Sequence, residues 1–547
     1  MKQLLLLILL TLPIWCSAQP AALTFTSSNL PILVIDTNKR DILDDPKIQA
    51  DLGIIDNGVG KRNTITDAYN NFKGKIGIEL RGSSSQWYSP KKSYGFETRD
   101  AAGANLDVSL LGLPADNDWV LTATFSDKTL MRNALTYSIA RSTGHYASRT
   151  RFCEVVLNGV YQGVYTLAEK VKRGTKRVNV SKLKTTDQTG DALTGGYIVK
   201  LDKATGAAAA AWTSKFQNPA NPLESNILFQ VEYPKVDDIT KPQLAYIQAY
   251  VDSFETALNT RPFTDQRRGY RHYIDTKSFI DYFLLTELSR TIDGYCFSTY
   301  FSKDRTSKGG KLTMGPAWDY DLAWGNAGFC AGDSVIGWVY SNAHCGGHQV
   351  PFWWRKLLSD PAFAQELRDR WLTLRATALS TNSLDELIDA NAAQLQESQV
   401  RNYTAWPIMG KYVWANAVAF ATYNEEVDYL KSWMHRRLTW LDNELNSSTN
   451  VVTSNAPASS LVTATVYPTP FTSSLSVSYA LASPSAVTLT LYDALGRQVH
   501  QQATGIQAAG AHTLDLAGCV QLAPGVYSLR LSSSAGNQTL RIVHAGS

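Results

Sequence analysis

Charge is scarce in this chain. Only 18% of its 547 residues are Asp, Glu, Lys or Arg, and 52 basic side chains face 48 acidic ones for a formal net charge of +4. An excess that small argues against a dedicated nucleic-acid binder, whose affinity would rest on a basic face. Cysteine is scarcer still, at six residues, and that excludes a small disulfide scaffold. Beyond the N-terminus no apolar run approaches the ~20 residues of a membrane helix, so no transmembrane segment is expected in the mature chain. GxSxG, HExxH and Walker lysine motifs are absent as well, which removes the commonest secreted hydrolases and P-loop enzymes. What is present is 44% hydrophobic and 11% aromatic residues, enough for one large core or two to three domains.

The opening MKQLLLLILLTLPIWCSAQP has a short basic start, an apolar run over 4–15 and then small residues. This is the layout of a secretory signal peptide over residues 1–18, cleaved after Ala18. Trp15 stands where a lipobox needs a small residue, which argues against lipid attachment at Cys16. Five cysteines then remain: Cys153, Cys296, Cys330, Cys345 and Cys519. Cys330 and Cys345 bracket a Gly-rich segment, and in an oxidising compartment they could form a disulfide; five free thiols is the alternative. His344 and His348 flank Cys345, but zinc wants a second convergent pair, so a disulfide with surface histidines is preferred to a metal site. Trp353, Trp354, Trp433 and Trp440 have the spacing of packing residues.

Composition shifts near Asn446, where NSSTNVVTSNAPASSLVTAT runs without a charge. A linker over 446–465 follows from that. Residues 466–547 then show short alternating runs such as SLSVSYAL, AVTLTLYDALG and GVYSLRLSSSAG, separated by Gly, Pro and Ser. The pattern predicts a small all-β sandwich. The tail resembles the C-terminal sorting domain of the type IX secretion system of Bacteroidetes, through VYPTPF at 466–471, LYDALGRQV at 491–499 and PGVYSLRL at 524–531. The resemblance implies export to the outer-membrane surface or the medium, with the type IX machinery as a partner. The basic terminus common in such tails is replaced by HAGS.

The body, 27–445, reads as α+β. Strand-like runs (KIGIEL, DWVLTATF, FCEVVLNGVYQGVYTLAEK, GGYIVKLD) mix with helical ones up to about residue 312. From 351 to 445 the periodicity is helical throughout, which predicts a helical C-terminal lobe.

Phosphoryl transfer needs a clamp for a polyanion, hard cations held by carboxylates, and a base for the acceptor. Asp319 and Asp321, in GPAWDYDLAWG, are two carboxylates one residue apart that could share a Mg²⁺. Asp293 closes the run SFIDYFLLTELSRTI, and TYFSKDRTSKGGKLTMG between these acids reads as a β-hairpin. A hairpin brings its ends together, so Asp293 and Asp319 are expected to be neighbours. On the anion side, IELRGSSSQ is a strand entering a Gly/Ser loop in which backbone N–H groups of Ser83 and Ser84, with the charge of Arg81, could meet phosphate oxygens. Lys91 and Lys92 follow, one of which could reach inward, and Glu169-Lys170 supplies a second strand lysine or an ion pair.

Taken in order, SNLPILVIDT, GIELRGSSSQ, PKKSYGFETRD, SLLGLPADNDWVL, FSDKTLMRNALTY, RFCEVVLNGVYQGVYTLAEKVKR, LTGGYIVKLDK and PAWDYDLAWG make the body similar to the CotH kinase family. The resemblance implies an atypical protein-kinase-like two-lobe body binding ATP and Mg²⁺ (or Mn²⁺), with Asp293 as catalytic Asp and Asp319 and Asp321 as metal ligands. Arg81, Ser83, Ser84, Lys92 and Lys170 fall in motifs placed around the phosphates. Members often carry Asn five residues after the catalytic Asp; here Ser298 stands there, a hydroxyl that coordinates a second metal only weakly. The expectation is an exported kinase acting on Ser/Thr hydroxyls of an unknown protein substrate. The alternative is a non-catalytic surface protein in which the same body binds a host or matrix partner.

Overall fold

The computed structural model describes residues 23–203, 210–216, 227–341, 349–446 and 464–545, apart from short gaps at 470, 473, 482–483, 494–496, 517–521 and 534–535. The expected signal peptide, most of the expected linker, and His344, Cys345, His348 and Cys519 lie outside the described residues. The chain divides into two compact units. One comprises the described parts of Met1–Leu130, Thr150–Lys170 and Ala393–Met409, the other those of Met131–Arg149, Val171–Ala392 and Gly410–Ser547.

The first unit is a closed barrel, which the sequence pattern alone does not announce. Its strands are β1 (Ile32–Asp36), β2 (Ile48–Ile55), β3 (Phe72–Arg81), β4 (Ser93–Arg99), β5 (Asp118–Thr122), β6 (Thr150–Leu157) and β7 (Val160–Glu169). They run in the order β1-β2-β3-β4-β5-β7-β6, and parallel pairing of β1 with β6 closes the ring. Alternation decides what fills it. Leu33 and Ile35, Leu52 and Ile54, Ile76 and Ile78, Tyr94 and Phe96, Trp119 and Leu121, Val155, and Tyr165 and Leu167 all join one buried core, as period-2 side chains on one face of each strand must. Each such side chain contributes roughly 1.5–3 kcal/mol on burial. The β6–β7 turn is Asn158-Gly159, with φ of 50° and 78°, the left-handed pair that a two-residue hairpin demands.

Ile32, Ile55, Val156 and Tyr161 form a second cluster with Ala405 and Trp406, which come from a segment some 240 residues downstream of Tyr161. The helix Ser398–Ala405 is held there by polar anchors. Asn402 Oδ1 accepts from Lys91 Nζ (3.0 Å) and from the backbone N–H of Val164 (3.1 Å), and Arg401 Nε donates to the buried Glu154 (3.0 Å). Of the two lysines in PKKSY, Lys91 is therefore the inward one. Burial pulls its pKa down to about 7.

In the second unit an antiparallel sheet has the order β9-β10-β8-β11-β12, formed by β8 (Tyr197–Leu201), β9 (Ala211–Thr213), β10 (Leu228–Tyr233), β11 (Thr299–Lys303) and β12 (Leu312–Met314). The predicted hairpin is β11–β12, with Phe301 opposite Met314. Helices Arg132–Ser142, Lys241–Asn259, Thr276–Ser289, Trp353–Leu358, Pro361–Arg375, Thr381–Leu395 and Tyr423–Asn446 complete it. Trp353, Trp354 and Trp433 are buried, and the Trp353 ring stacks on Phe229 at 5.9 Å. Among the described residues no helix is long and apolar enough to cross a membrane. Cys330 is disulfide-bonded, and Cys153 and Cys296 are free thiols.

The expectation of an unbroken helical lobe over 351–445 needs correction. Residues 406–422 are irregular, and 393–409 belong to the barrel unit. Pro407 and Gly410 (φ 71°) interrupt the helical pattern, and Trp406 is drawn onto the barrel, where its indole N–H donates to Gln162 O at 2.9 Å. A local 3.6-residue period cannot report a competing tertiary partner.

The tail is all-β, as its pattern predicts. Strands β13 (Ala464–Tyr467), β14 (Leu475–Leu481) and β17 (Gly510–Leu516) form one sheet. The other is β16-β15-β18-β19, from β15 (Ser485–Tyr492), β16 (Gln498–Gln507), β18 (Gly525–Ser533) and β19 (Gly536–His544). Leu475, Val477 and Leu516 of the first share a buried core with Leu489, Leu491, Leu529 and Leu531 of the second, which makes the tail a sandwich.

Candidate functional site

The helix Thr276–Ser289 is buried from Ser278 onward and stops at Arg290, which adopts a left-handed conformation at φ 48°. Arg290 Nε donates to Ala331 O at 2.7 Å, so the stop is also an anchor. The chain then turns on Asp293, whose carbonyl accepts from the backbone N–H groups of Cys296 (3.1 Å) and Phe297 (2.9 Å). Gly294 is required in this turn, because a Cβ there would lie 2.5 Å from Thr286 Cγ2. The turn leaves the Asp293 carboxyl half-buried. Desolvation raises its pKa to about 6, the negative charge of Asp319 adds to the rise, Lys203 opposes it, and Asp202 contributes a smaller push in the same direction as Asp319.

Asp319 lies on the loop that follows β12 and is itself left-handed, at φ 66°. A non-glycine residue is held there only by its surroundings, and the holder is one face of the helix Arg132–Ser142. The backbone N–H of Asp319 donates to Tyr137 OH (3.0 Å), that of Tyr320 to Asn133 Oδ1 (2.6 Å), and the indole N–H of Trp324 to Thr136 Oγ1 (2.8 Å). The Tyr137 ring stacks on Trp318 at 5.7 Å. The same loop is tied to the end of the Asp293 helix, since the backbone N–H of Trp324 donates to Ser289 O at 2.7 Å. Gly325 ends it with φ 75°, where a Cβ would meet the Trp433 ring at 2.5 Å. Ser298, also left-handed at φ 47°, donates its hydroxyl to Asp319 Oδ2 at 3.3 Å. Asp321 keeps its place through its carbonyl, which accepts from Asn326 Nδ2 at 2.7 Å.

Asp293, Ser298 and Asp319 are thus brought together, as the hairpin argument predicts, with Asp321 two residues on in the same loop. The donor set is made of hard oxygens, and the half-buried Asp293 carboxyl lies in the field of a second carboxylate, Asp319. Both facts fit Mg²⁺, which binds through one or two carboxylates and completes its shell with phosphate oxygens and water. Among the described residues no group of three or more His, Cys, Asp or Glu could hold a metal ion.

The remaining predicted residues belong to the barrel unit. Arg81 is the last residue of β3, Gly82 follows at φ 110°, Ser83 caps the short helix Ser84–Tyr88, and Ser84 is its first residue. The predicted Gly/Ser loop is therefore a strand running into one helical turn. Lys92 Nζ donates to Gln86 O (2.7 Å) and Ser89 O (2.8 Å), so it laces this loop to β4. Lys170, just past β7, lies 3.9 Å from Asp118.

Sequence reasoning assigned no role to two sets of residues. Asn133, Thr136 and Tyr137 stand at i, i+3 and i+4, a polar face on an otherwise buried helix, and that spacing was a readable signal. Lys203 follows β8 by two residues, and its bearing on Asp293 emerges only from strand pairing.

Two comparisons bear on this arrangement. Residues 78–441, two thirds of the chain, match the family described as CotH kinase protein, and residues 465–545 match the secretion system C-terminal sorting domain. No curated protein matches the chain.

Proposed function

The chain belongs to the CotH kinase protein family, and from that premise we propose that it transfers the γ-phosphoryl group of ATP to a Ser/Thr-type hydroxyl of a protein outside the cell. Its sorting tail makes it a secreted or cell-surface protein and a client of the secretion machinery. A kinase-like two-lobe arrangement is part of the same proposal.

One observation carries the reading: a half-buried Asp293, its pKa raised to about 6, in the field of Asp319. A carboxyl poised near neutrality suits proton acceptance from a hydroxyl. In the proposed step the acceptor oxygen bonds to the γ-phosphorus and its proton passes to Asp293. The bond from the γ-phosphorus to the bridging oxygen breaks, and ADP departs with that electron pair. Asp319, Asp321 and Ser298 are the proposed holders of Mg²⁺ or Mn²⁺. When bound, the cation neutralises charge on the phosphate oxygens. Arg81, Ser83, Ser84, Lys92 and Lys170 of the barrel unit stand as phosphate-binding candidates on the family resemblance alone.

The test is to incubate the full chain with labelled ATP and Mg²⁺ or Mn²⁺ and to follow label on the protein itself and on co-secreted proteins. Transfer by wild type, lowered at least ~10²-fold in Asp293→Asn and Asp319→Ala, is expected. If wild type and Asp319→Ala are equally silent and neither binds nucleotide, the kinase reading fails in favour of a non-catalytic surface protein.

A further inference from the structure

Antiparallel pairing of β8 with β11 sets Leu201 opposite Thr299. Continued by two residues, that register brings Lys203 to Phe297, and the Lys203 ammonium sits 5.0 Å from the centre of the Phe297 ring. Phe297 is itself bonded to the Asp293 turn, its N–H donating to Asp293 O at 2.9 Å. The backbone beneath Lys203 is clamped, because Gln230 Nε2 donates to the carbonyls of both Asp202 (2.9 Å) and Lys203 (3.1 Å).

The neighbouring lysine on this strand is used differently. Lys200 pairs with Glu232 at 3.1 Å and with Asp202 at 4.0 Å. Among the described residues Lys203 has no ion-pair partner within that distance, although Asp293 and Asp202 act on the same neighbourhood. A lysine held on an aromatic face, with no salt bridge among the described residues and a half-buried carboxyl in its field, is placed to meet an anion that arrives from outside.

We infer that Lys203 is a catalytic cation of this site, meeting the phosphoryl group in flight on the side where Asp293 takes the acceptor proton. The inference rests on the phosphotransfer reading. Lys203 offsets charge on the equatorial phosphoryl oxygens while the bond to the acceptor oxygen forms and the bond to the ADP bridging oxygen breaks. It also favours the ionised form of Asp293, which must be a carboxylate to receive the proton. Its ammonium lies over the Phe297 ring, so the charge can be removed by mutation while a side chain of similar length is kept.

Lys203→Met keeps a side chain of similar length and removes the charge, and Lys203→Arg restores the charge. With the full chain, Mg²⁺ and ATP, the Met variant is expected to lose ~10²-fold in kcat with a much smaller change in the KM for ATP, and the Arg variant to recover most of the loss. A second readout needs no turnover: inorganic tripolyphosphate should raise the Tm of metal-free wild type and of Lys203→Arg but not of Lys203→Met. Equal kcat in wild type and Lys203→Met, or equal Tm response to tripolyphosphate, overturns the assignment of Lys203. If wild type transfers no phosphate but still shows a Lys203-dependent tripolyphosphate response, the kinase reading fails and Lys203 stands as an anion site only.

Discussion

The backbone N–H of Asp319 donates to the hydroxyl of Tyr137 at 3.0 Å, so a left-handed aspartate is held by a helix 182 residues earlier in the chain. The neighbouring Asn133 and Thr136 hold Tyr320 and Trp324 of the same loop. Three bonds to one helical face make the position of the carboxylate a property of the fold and not of the loop alone.

Tyr137→Phe isolates this bond, since it deletes the hydroxyl and leaves the ring on Trp318. A backbone N–H that loses its partner costs about 1–3 kcal/mol, which should appear as a lower Tm. Because the loop carries the proposed metal ligands, half-saturating Mg²⁺ should rise by about tenfold. Unchanged metal titration with a lowered Tm would make Tyr137 a stability residue only.

Asp293 predicts a pH dependence whose sign follows from its raised pKa. The carboxyl ionises near pH 6 when folded, against about 4 in an unfolded chain. Between these values the folded state binds more protons, so its stability falls as pH rises through the window. In metal-free protein Asp293→Asn should remove the Asp293 share of that fall, leaving the share of Glu255, which burial raises to about 7, and be more stable than wild type at pH 7 by about 1–2 kcal/mol. Urea midpoints at pH 4 and 7 for both proteins measure it, and parallel pH dependence in the two would contradict the assignment.

Arg437 and Glu287 form a fully buried pair at 3.4 Å, both side chains 0% exposed. Glu287 also accepts from the backbone N–H groups of Val339 (2.7 Å) and Tyr340 (2.9 Å), and Arg437 donates to Val335 O and Gly337 O. Glu287 stands two residues before the end of the helix that launches the Asp293 turn. Removing one partner strands a buried charge, so Arg437→Met should cost about 3–5 kcal/mol. Changing both, Glu287→Gln with Arg437→Met, should recover part of that loss, which a double-mutant cycle from denaturant unfolding would quantify.

Much of this arrangement was legible beforehand. Asp293 and Asp319 could be paired because a Gly-Gly hairpin has only one short-range outcome, and the strands Thr299–Lys303 and Leu312–Met314 realise it. The sandwich tail was readable because alternation such as LSVSYAL already separates an inner from an outer face. The barrel was not legible. Each of its strands alternates, but closure depends on β1 running parallel to β6, a pairing between residues about 120 apart, and no local period encodes a partner. The break at Trp406 was hidden for the same reason.

From the residues alone came the chemical inventory: paired carboxylates, a hydroxyl five residues after Asp293, lysines at strand ends, and a tail with its own core. These depend on side-chain type and short spacing, which a linear chain displays. The tertiary structure decided which of them work together, because distance between elements is set by packing. It made Lys91 the buried lysine and put Lys92 on loop carbonyls, gave Asn133, Thr136 and Tyr137 the task of holding Asp319, and brought Lys203 beside the Asp293 turn through the register of two strands.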